Sequence, residues 1–173
     1  TSEGPRVILE ASTQLDFYHP KLENAFETKV FMTAISTEWK EINTKLCIEA
    51  IEYIGFLEDG GKLEDNKDFQ YTVSTIAEAQ NALKDNLKNR ALELINQGKL
   101  VGVLGGEHST PLGLIEAIDG QNKPFGIIQI DAHADLRKAY EGFEFSHASI
   151  MYNALQIPQV EKLVQVGIRD YCE

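Results

Sequence analysis

The stretch Asp131-Ala132-His133-Ala134-Asp135 places three potential metal ligands at alternate positions. In an extended backbone that spacing turns all three side chains to one face. Carboxylate and imidazole together suit a borderline-hard divalent ion such as Mn2+ or Zn2+. A single aspartate there would read as a solvated turn. Three ligand-type residues leaving the apolar run Phe125-Gly126-Ile127-Ile128-Gln129-Ile130 read as a metal site.

A second segment, Gly105-Gly106-Glu107-His108-Ser109, also follows an apolar run. Paired glycines allow a sharp turn and a close backbone approach. They would present His108 at the same sheet edge as Asp131. Alone, a histidine after Gly-Gly reads as structural; beside a second strand end carrying His and acid it becomes a candidate ligand. The third segment is Glu144-Phe145-Ser146-His147-Ala148-Ser149. Taken by itself His147 is equally a helix-terminal surface histidine or a proton-transfer group. Close to an activated water it would serve as general acid or shuttle, because imidazole titrates near neutrality. His19, in Tyr18-His19-Pro20, stands apart from these segments and reads as ordinary.

These residues need strands and helices to hold them. Leu100 to Leu104, Phe125 to Ile130 and Leu163 to Val166 are short, rich in Val, Ile and Leu, and read as parallel strands covered on both faces. Val30 to Thr33 is a weaker candidate. Val73, Ile76, Leu83, Leu87 and Leu94 line one helix face, with Thr75 and Glu78 spaced as a capping box and Gly98 as the stop. Trp39, Ile42, Leu46 and Ala50 define a shorter helix. Thr110-Pro111 has the form of an N-cap followed by a first-turn proline, opening a helix to about Asp119-Gly120. Ser146 to Leu155 reads as a further helix with Ile150, Met151, Ala154 and Leu155 inward, and Leu57 to Asp68 as a polar loop. Strands alternating with helices imply βαβ units, hence an α/β fold with a mostly parallel sheet. At that sheet's carboxyl edge such folds place their ligands.

The 173 residues suit one domain, 1–173, with an apolar fraction of 43% that excludes a disordered chain. A formal charge of −11 and the absence of a basic stripe argue against nucleic acid as a partner. Cys47 and Cys172 are far apart and in no metal-type spacing, which predicts reduced thiols and a cytoplasmic protein. No apolar run approaches the roughly 20 residues that span a bilayer, so no membrane association is expected. The chain opens at Thr1 without methionine and stops just past an apparent strand, so both ends are expected to be cut.

In this order the three segments resemble the arginase/agmatinase/formiminoglutamase family of ureohydrolases. That family carries a Gly-Gly-Asp/Glu-His-Ser segment, then Asp-Ala-His-x-Asp, then a Ser-His-Gly/Ala segment. The resemblance covers at least positions 100 to 170, and Gly4-Pro5 is similar to a family segment near its N-terminal end. It implies a three-layer α/β/α fold, arginase-like and incomplete here at both ends. It also implies two manganese ions. Carried over, His108 and Asp135 would bind the first ion, Asp131 would bridge both, and His133 would bind the second. Activated hydroxide would attack the guanidinium carbon of a small cationic guanidino substrate, with His147 handling protons for the departing amine. The family's Ser-x-Asp-x-Asp motif, which supplies further ligands, is expected beyond Glu173, and an upstream strand before Thr1. The isolated chain should therefore bind metal poorly and react slowly.

Glu107, Ala148 and the run from Asp135 to Gly142 most resemble agmatinase-type members, which implies agmatine as substrate and putrescine and urea as products. Glu141 and Glu144 would attract a distal ammonium, or form a solvated acidic loop. Arginine, guanidinobutyrate and formiminoglutamate remain as alternative substrates, a related metal-dependent deacetylase as an alternative enzyme, and an inactive interaction module as an alternative of another class. The resemblance also implies a homo-oligomer, a trimer or hexamer.

Overall fold

Two of the apolar runs form a parallel ladder. In a computed structural model, which describes residues 2–16, 18–27 and 29–171 (at Phe26 the backbone alone), strand β1 spans Phe125–Ile130 and strand β2 spans Val160–Val166. Phe125 pairs with Val160, the register shifts by one residue, and Gly126 to Ile130 then face Lys162 to Val166 in step. Asp131 N–H donates to the Val166 carbonyl at 3.0 Å, carrying the ladder one residue past β1.

Strand alternation divides the sheet into two unlike faces. Ile127 and Leu163 pack on Leu112, Ile150 and Met151, with Phe145 and Ile157 closing the cluster. On the opposite face Ile128 and Ile130 are exposed, as are Val164 and Val166. Coverage on both faces, expected for these strands, is therefore limited to one face among the described residues. The α/β class and the parallel pairing hold, and the arrangement of a small parallel sheet with helices against it is consistent with an arginase-like three-layer fold.

The run Leu100 to Leu104 is not a strand. Its backbone makes no ladder with β1 among the described residues, and Leu100 is fully exposed. A strand exists only through its partner's hydrogen bonds, so an apolar run without one stays extended coil. Val30 to Thr33 is coil for the same reason.

Helix α1 spans Gly4–Ser12, α2 Thr37–Glu58 and α3 Lys67–Asn96. The Ser36 hydroxyl caps α2 by accepting from Trp39 N–H at 3.2 Å. A 2.8 Å ion pair from Lys40 to Glu3 ties α1 to α2, and with Arg6 it pulls the Glu3 carboxyl down to about 2. Helix α3 starts earlier than expected. Asn66 accepts from Asp68 N–H and Phe69 N–H, so Thr75 and Glu78 lie inside the helix and cap nothing. Between Thr75 and Asn66 no glycine or proline interrupts, and the stronger cap upstream wins. The polar loop is correspondingly shorter, with α2 running to Glu58 and a single helical turn at Leu63–Asp65 before α3. Gly98, at φ +74°, ends α3 as the sequence predicts.

Helix α4, Leu112–Asp119, crosses α3 closely because Gly113 sits against it. A Cβ there would lie 2.5 Å from the Lys84 carbonyl oxygen. Beside that contact Lys84 and Lys88 each reach Glu116 at 3.0 Å. Thr110 does not cap α4: its hydroxyl turns back and donates to the Glu107 carbonyl at 2.8 Å. A helical turn at His147–Ser149 leads into helix α5, Ile150–Ala154. Ile150, Met151 and Ala154 are buried as expected, while Leu155 falls past the helix end and is exposed.

Cys47 is a free, exposed thiol, and Cys172 lies outside the described residues. No described helix is long and apolar enough to cross a membrane.

Candidate metal centre

The site forms where β1 ends. Asp131 Oδ1 accepts from the His133 backbone N–H at 2.7 Å, a local turn that breaks the extended backbone directly after the strand. The three ligand-type side chains consequently do not share one face, as continuous strand geometry would require. Asp135 adopts φ +54°, a conformation aspartate tolerates better than most residues, and turns inward until almost fully buried. His133 turns outward and is 60% exposed.

His108 comes to these carboxylates from the Gly105-Gly106 loop. Its Nδ1 lies 2.7 Å from Asp135 Oδ2 and 3.3 Å from Asp131 Oδ2. One ligand atom from each of His108, Asp131 and Asp135 falls within 4.8 Å of the others. Gly105 is needed for this loop, since a Cβ there would collide with the Thr110 hydroxyl. His133 stands outside the trio. Its Nδ1 is 3.3 Å from Asp131 Oδ1 and its Nε2 is 3.7 Å from Asp170 Oδ2, across an isolated parallel bridge.

The two aspartates are electrostatically unlike. The His133 N–H bond holds the Asp131 carboxyl below its ordinary range against a smaller cost of burial, helped by His108. Burial pushes Asp135 up and the charge of Asp131 adds to it, with His108 offsetting part. Two carboxylates and one imidazole at this separation form a hard-to-borderline donor set that can coordinate a divalent cation.

A polar network invisible in the motifs supports the trio. Gln129, on the inward face of β1, is buried; its amide donates to the His133 carbonyl at 3.1 Å and to Asp135 Oδ2 at 3.3 Å. Its oxygen accepts from Gln165, its register partner on β2, at 2.6 Å, and Gln165 also donates to the Ala134 carbonyl at 2.7 Å. Backbone N–H groups of Met151 and Tyr152 donate to the Asp135 carbonyl at 3.0 and 3.2 Å, which fixes α5 beneath it. The available signal is a glutamine at an inward position of each apolar strand.

His147 lies on the adjoining turn, 62% exposed, with Nδ1 3.8 Å from Glu107 Oε1 and its ring edge-on to Tyr140. Glu141 and Glu144 belong to the loop between Asp135 and α5. The Glu141 carbonyl accepts from the buried Tyr53 hydroxyl at 2.9 Å, and the Glu144 carbonyl accepts from Asn153 at 2.9 Å. Neither carboxylate belongs to the His108–Asp131–Asp135 group.

The model of the arginase family matches residues 1–173. N(1)-aminopropylagmatine ureohydrolase of Synechocystis is 27% identical over 98% of this chain and 45% of its own length. A protein of the same name from Thermus thermophilus is 38% identical over 56% of this chain and 31% of its own. Agmatinase of Bacillus anthracis is 33% identical over 53% of this chain and 31% of its own. The chain thus spans about half the length of the Synechocystis relative and less of the other two. No solved structure matches it significantly. With the family model matched from end to end over a His/Asp/Asp cluster at a strand's carboxyl edge, the chain belongs to the arginase family.

Proposed function

We propose that the protein hydrolyses a guanidino C–N bond in a manganese-dependent reaction, releasing urea and an amine, with agmatine or an amine-extended agmatine as substrate. One observation carries this: ligand atoms of His108, Asp131 and Asp135 converge within 4.8 Å in a chain matched throughout by the arginase family model. His108, Asp131 and Asp135 would hold one ion, and Asp131 with His133 a second. When bound, such ions supply Lewis acidity and make water a usable nucleophile near neutral pH.

The chain's own residues do the rest. Gln129 keeps Asp135 aimed at His108 by its amide bond to Oδ2. His147, exposed on the turn that follows the loop, moves the proton that the leaving amine requires. The choice of agmatine-like over arginine-like substrates is supported by two relatives. The curated names N(1)-aminopropylagmatine ureohydrolase and agmatinase both denote substrates without an α-carboxylate. Glu141 and Glu144 would favour a distal ammonium through their charge.

Urea release with excess Mn2+ tests this, on the chain and on a version extended to its relatives' length. The substrates are agmatine, N(1)-aminopropylagmatine, arginine, guanidinobutyrate and formiminoglutamate. Release from either of the first two in preference to arginine is the expected result. No release from any substrate in either form, with no manganese bound, would overturn the assignment.

A further inference from the structure

We infer that Glu107 is the positioning residue for His147, holding the imidazole proton on Nδ1 so that Nε2 is the nitrogen that carries protons to and from the reaction. The inference rests on the hydrolytic reading of the site and adds a role that no motif assigns.

The carboxylate of Glu107 is divided between two tasks. Oε2 accepts from the Ser109 backbone N–H at 2.7 Å and from the Ser109 hydroxyl. Those two bonds fix the plane of the carboxylate and leave Oε1 for another partner. That oxygen lies 3.8 Å from His147 Nδ1. Both side chains are partly exposed, 41% and 62%, so a small rotation closes the gap to hydrogen-bond contact. Catalytic contacts are often this long before substrate arrives. The imidazole also meets Tyr140 edge-on, centroids 5.7 Å apart at 68°, and the Arg137 guanidinium lies 5.3 Å from the Tyr140 ring. The ring is therefore bounded by a carboxylate at Nδ1 and by an aromatic neighbour.

An acceptor at one imidazole nitrogen keeps the proton there and decides which nitrogen is chemically available. With Nδ1–H directed at Glu107, Nε2 takes a proton from water and passes it to the nitrogen of the departing amine. Glu107 itself gains and loses none. Because Glu107 directly precedes His108 in the chain, one loop holds both the candidate ligand and the residue that orients the proton carrier.

The test is nitrogen-15 NMR of the His147 ring in the metal-free protein, at a pH where imidazole is neutral, with signals assigned by their loss in His147→Gln. The native ring should carry its proton mainly on Nδ1. Glu107→Ala should shift it mainly to Nε2, and Glu107→Asp should restore the Nδ1 form at least in part. Should Glu107→Ala not fold, Glu107→Gln, which keeps the shape of the side chain and removes its charge, should show the same shift in smaller measure. In manganese-loaded protein Glu107→Ala should lower kcat by at least about 10-fold with KM within about twofold. An identical tautomer in native protein and in Glu107→Ala or Glu107→Gln would overturn the inference. A tautomer change in a protein that releases no urea in any form would uphold the pairing and overturn the hydrolytic reading instead.

Discussion

Gln165 donates its side-chain amide to Gln129 across the parallel ladder at 2.6 Å, and Gln129 passes the connection on to Asp135. Two strands thereby support one carboxylate that neither of them carries. An unpartnered buried amide costs more than the bond itself contributes, so such a network is stable only when complete.

Replacing one member should therefore be worse than replacing both. Gln129→Leu takes one partner from the Gln165 amide, which keeps Ala134, one from Asp135 Oδ2, which keeps His108, and its side-chain donor from the His133 carbonyl. We expect a loss of about 1–3 kcal/mol in urea denaturation and roughly 10- to 100-fold weaker Mn2+ binding. The double variant Gln129→Leu/Gln165→Leu should recover part of the stability and none of the affinity. Recovery of both would mean the network does not orient Asp135.

Tyr53 bolts the loop after Asp135 to the helices. Its ring packs on Phe69 and Phe143, and its hydroxyl donates to the Glu141 carbonyl, where φ is +52°. Tyr53→Phe should cost about 0.5–1.5 kcal/mol and speed amide exchange at Tyr140 and Phe143, whose N–H groups bond each other's carbonyls. Gly142→Ala should cost more. At φ +81° its added Cβ would meet Leu63 Cδ2 at 3.0 Å and the Tyr53 hydroxyl at 3.2 Å. Exchange rates unchanged in Tyr53→Phe would show that the aromatic packing alone holds the loop.

Glu116 gives the α3–α4 contact an acid limit. Burial would raise its carboxyl, but the hydrogen bonds and charges of Lys88 and Lys84 prevail and hold it below the ordinary 4.5. A carboxyl depressed on folding stabilises above its unfolded value, and that contribution is lost as pH falls through the folded one. The urea midpoint of the native protein should thus drop as pH falls below about 4.5, and Glu116→Gln should be less stable at pH 7 yet flatter across that window. Equal slopes in the two proteins would remove Glu116 from the acid response.

Periodicity makes α3 legible because its apolar positions span many turns, and Gly98 stops it where a left-handed residue is required. The strand ending at Ile130 is equally clear, and with it the placement of Asp131 at a sheet edge. Leu100 to Leu104 reads as a strand and is none, because apolar content reports burial tendency, whereas a strand depends on a partner the local sequence does not name. Alternation puts His133 on one face with Asp131 and Asp135, and a single bond from its own N–H to Asp131 turns it away. Short-range competition of that kind overrides strand alternation and leaves no periodic trace. Gln129 and Gln165 each look like an ordinary polar residue until the register sets them side by side.

Titration calorimetry with Mn2+ on the native chain, His108→Ala and Asp135→Asn bears on the candidate metal centre itself. Asparagine is chosen at 135 because it tolerates φ +54° while removing the charge. We expect saturable binding by the native chain, weakened in both variants by more than the roughly 10- to 100-fold that loss of a supporting partner causes. No binding by the native chain at millimolar Mn2+, or equal binding by all three proteins, would contradict a metal centre at His108, Asp131 and Asp135.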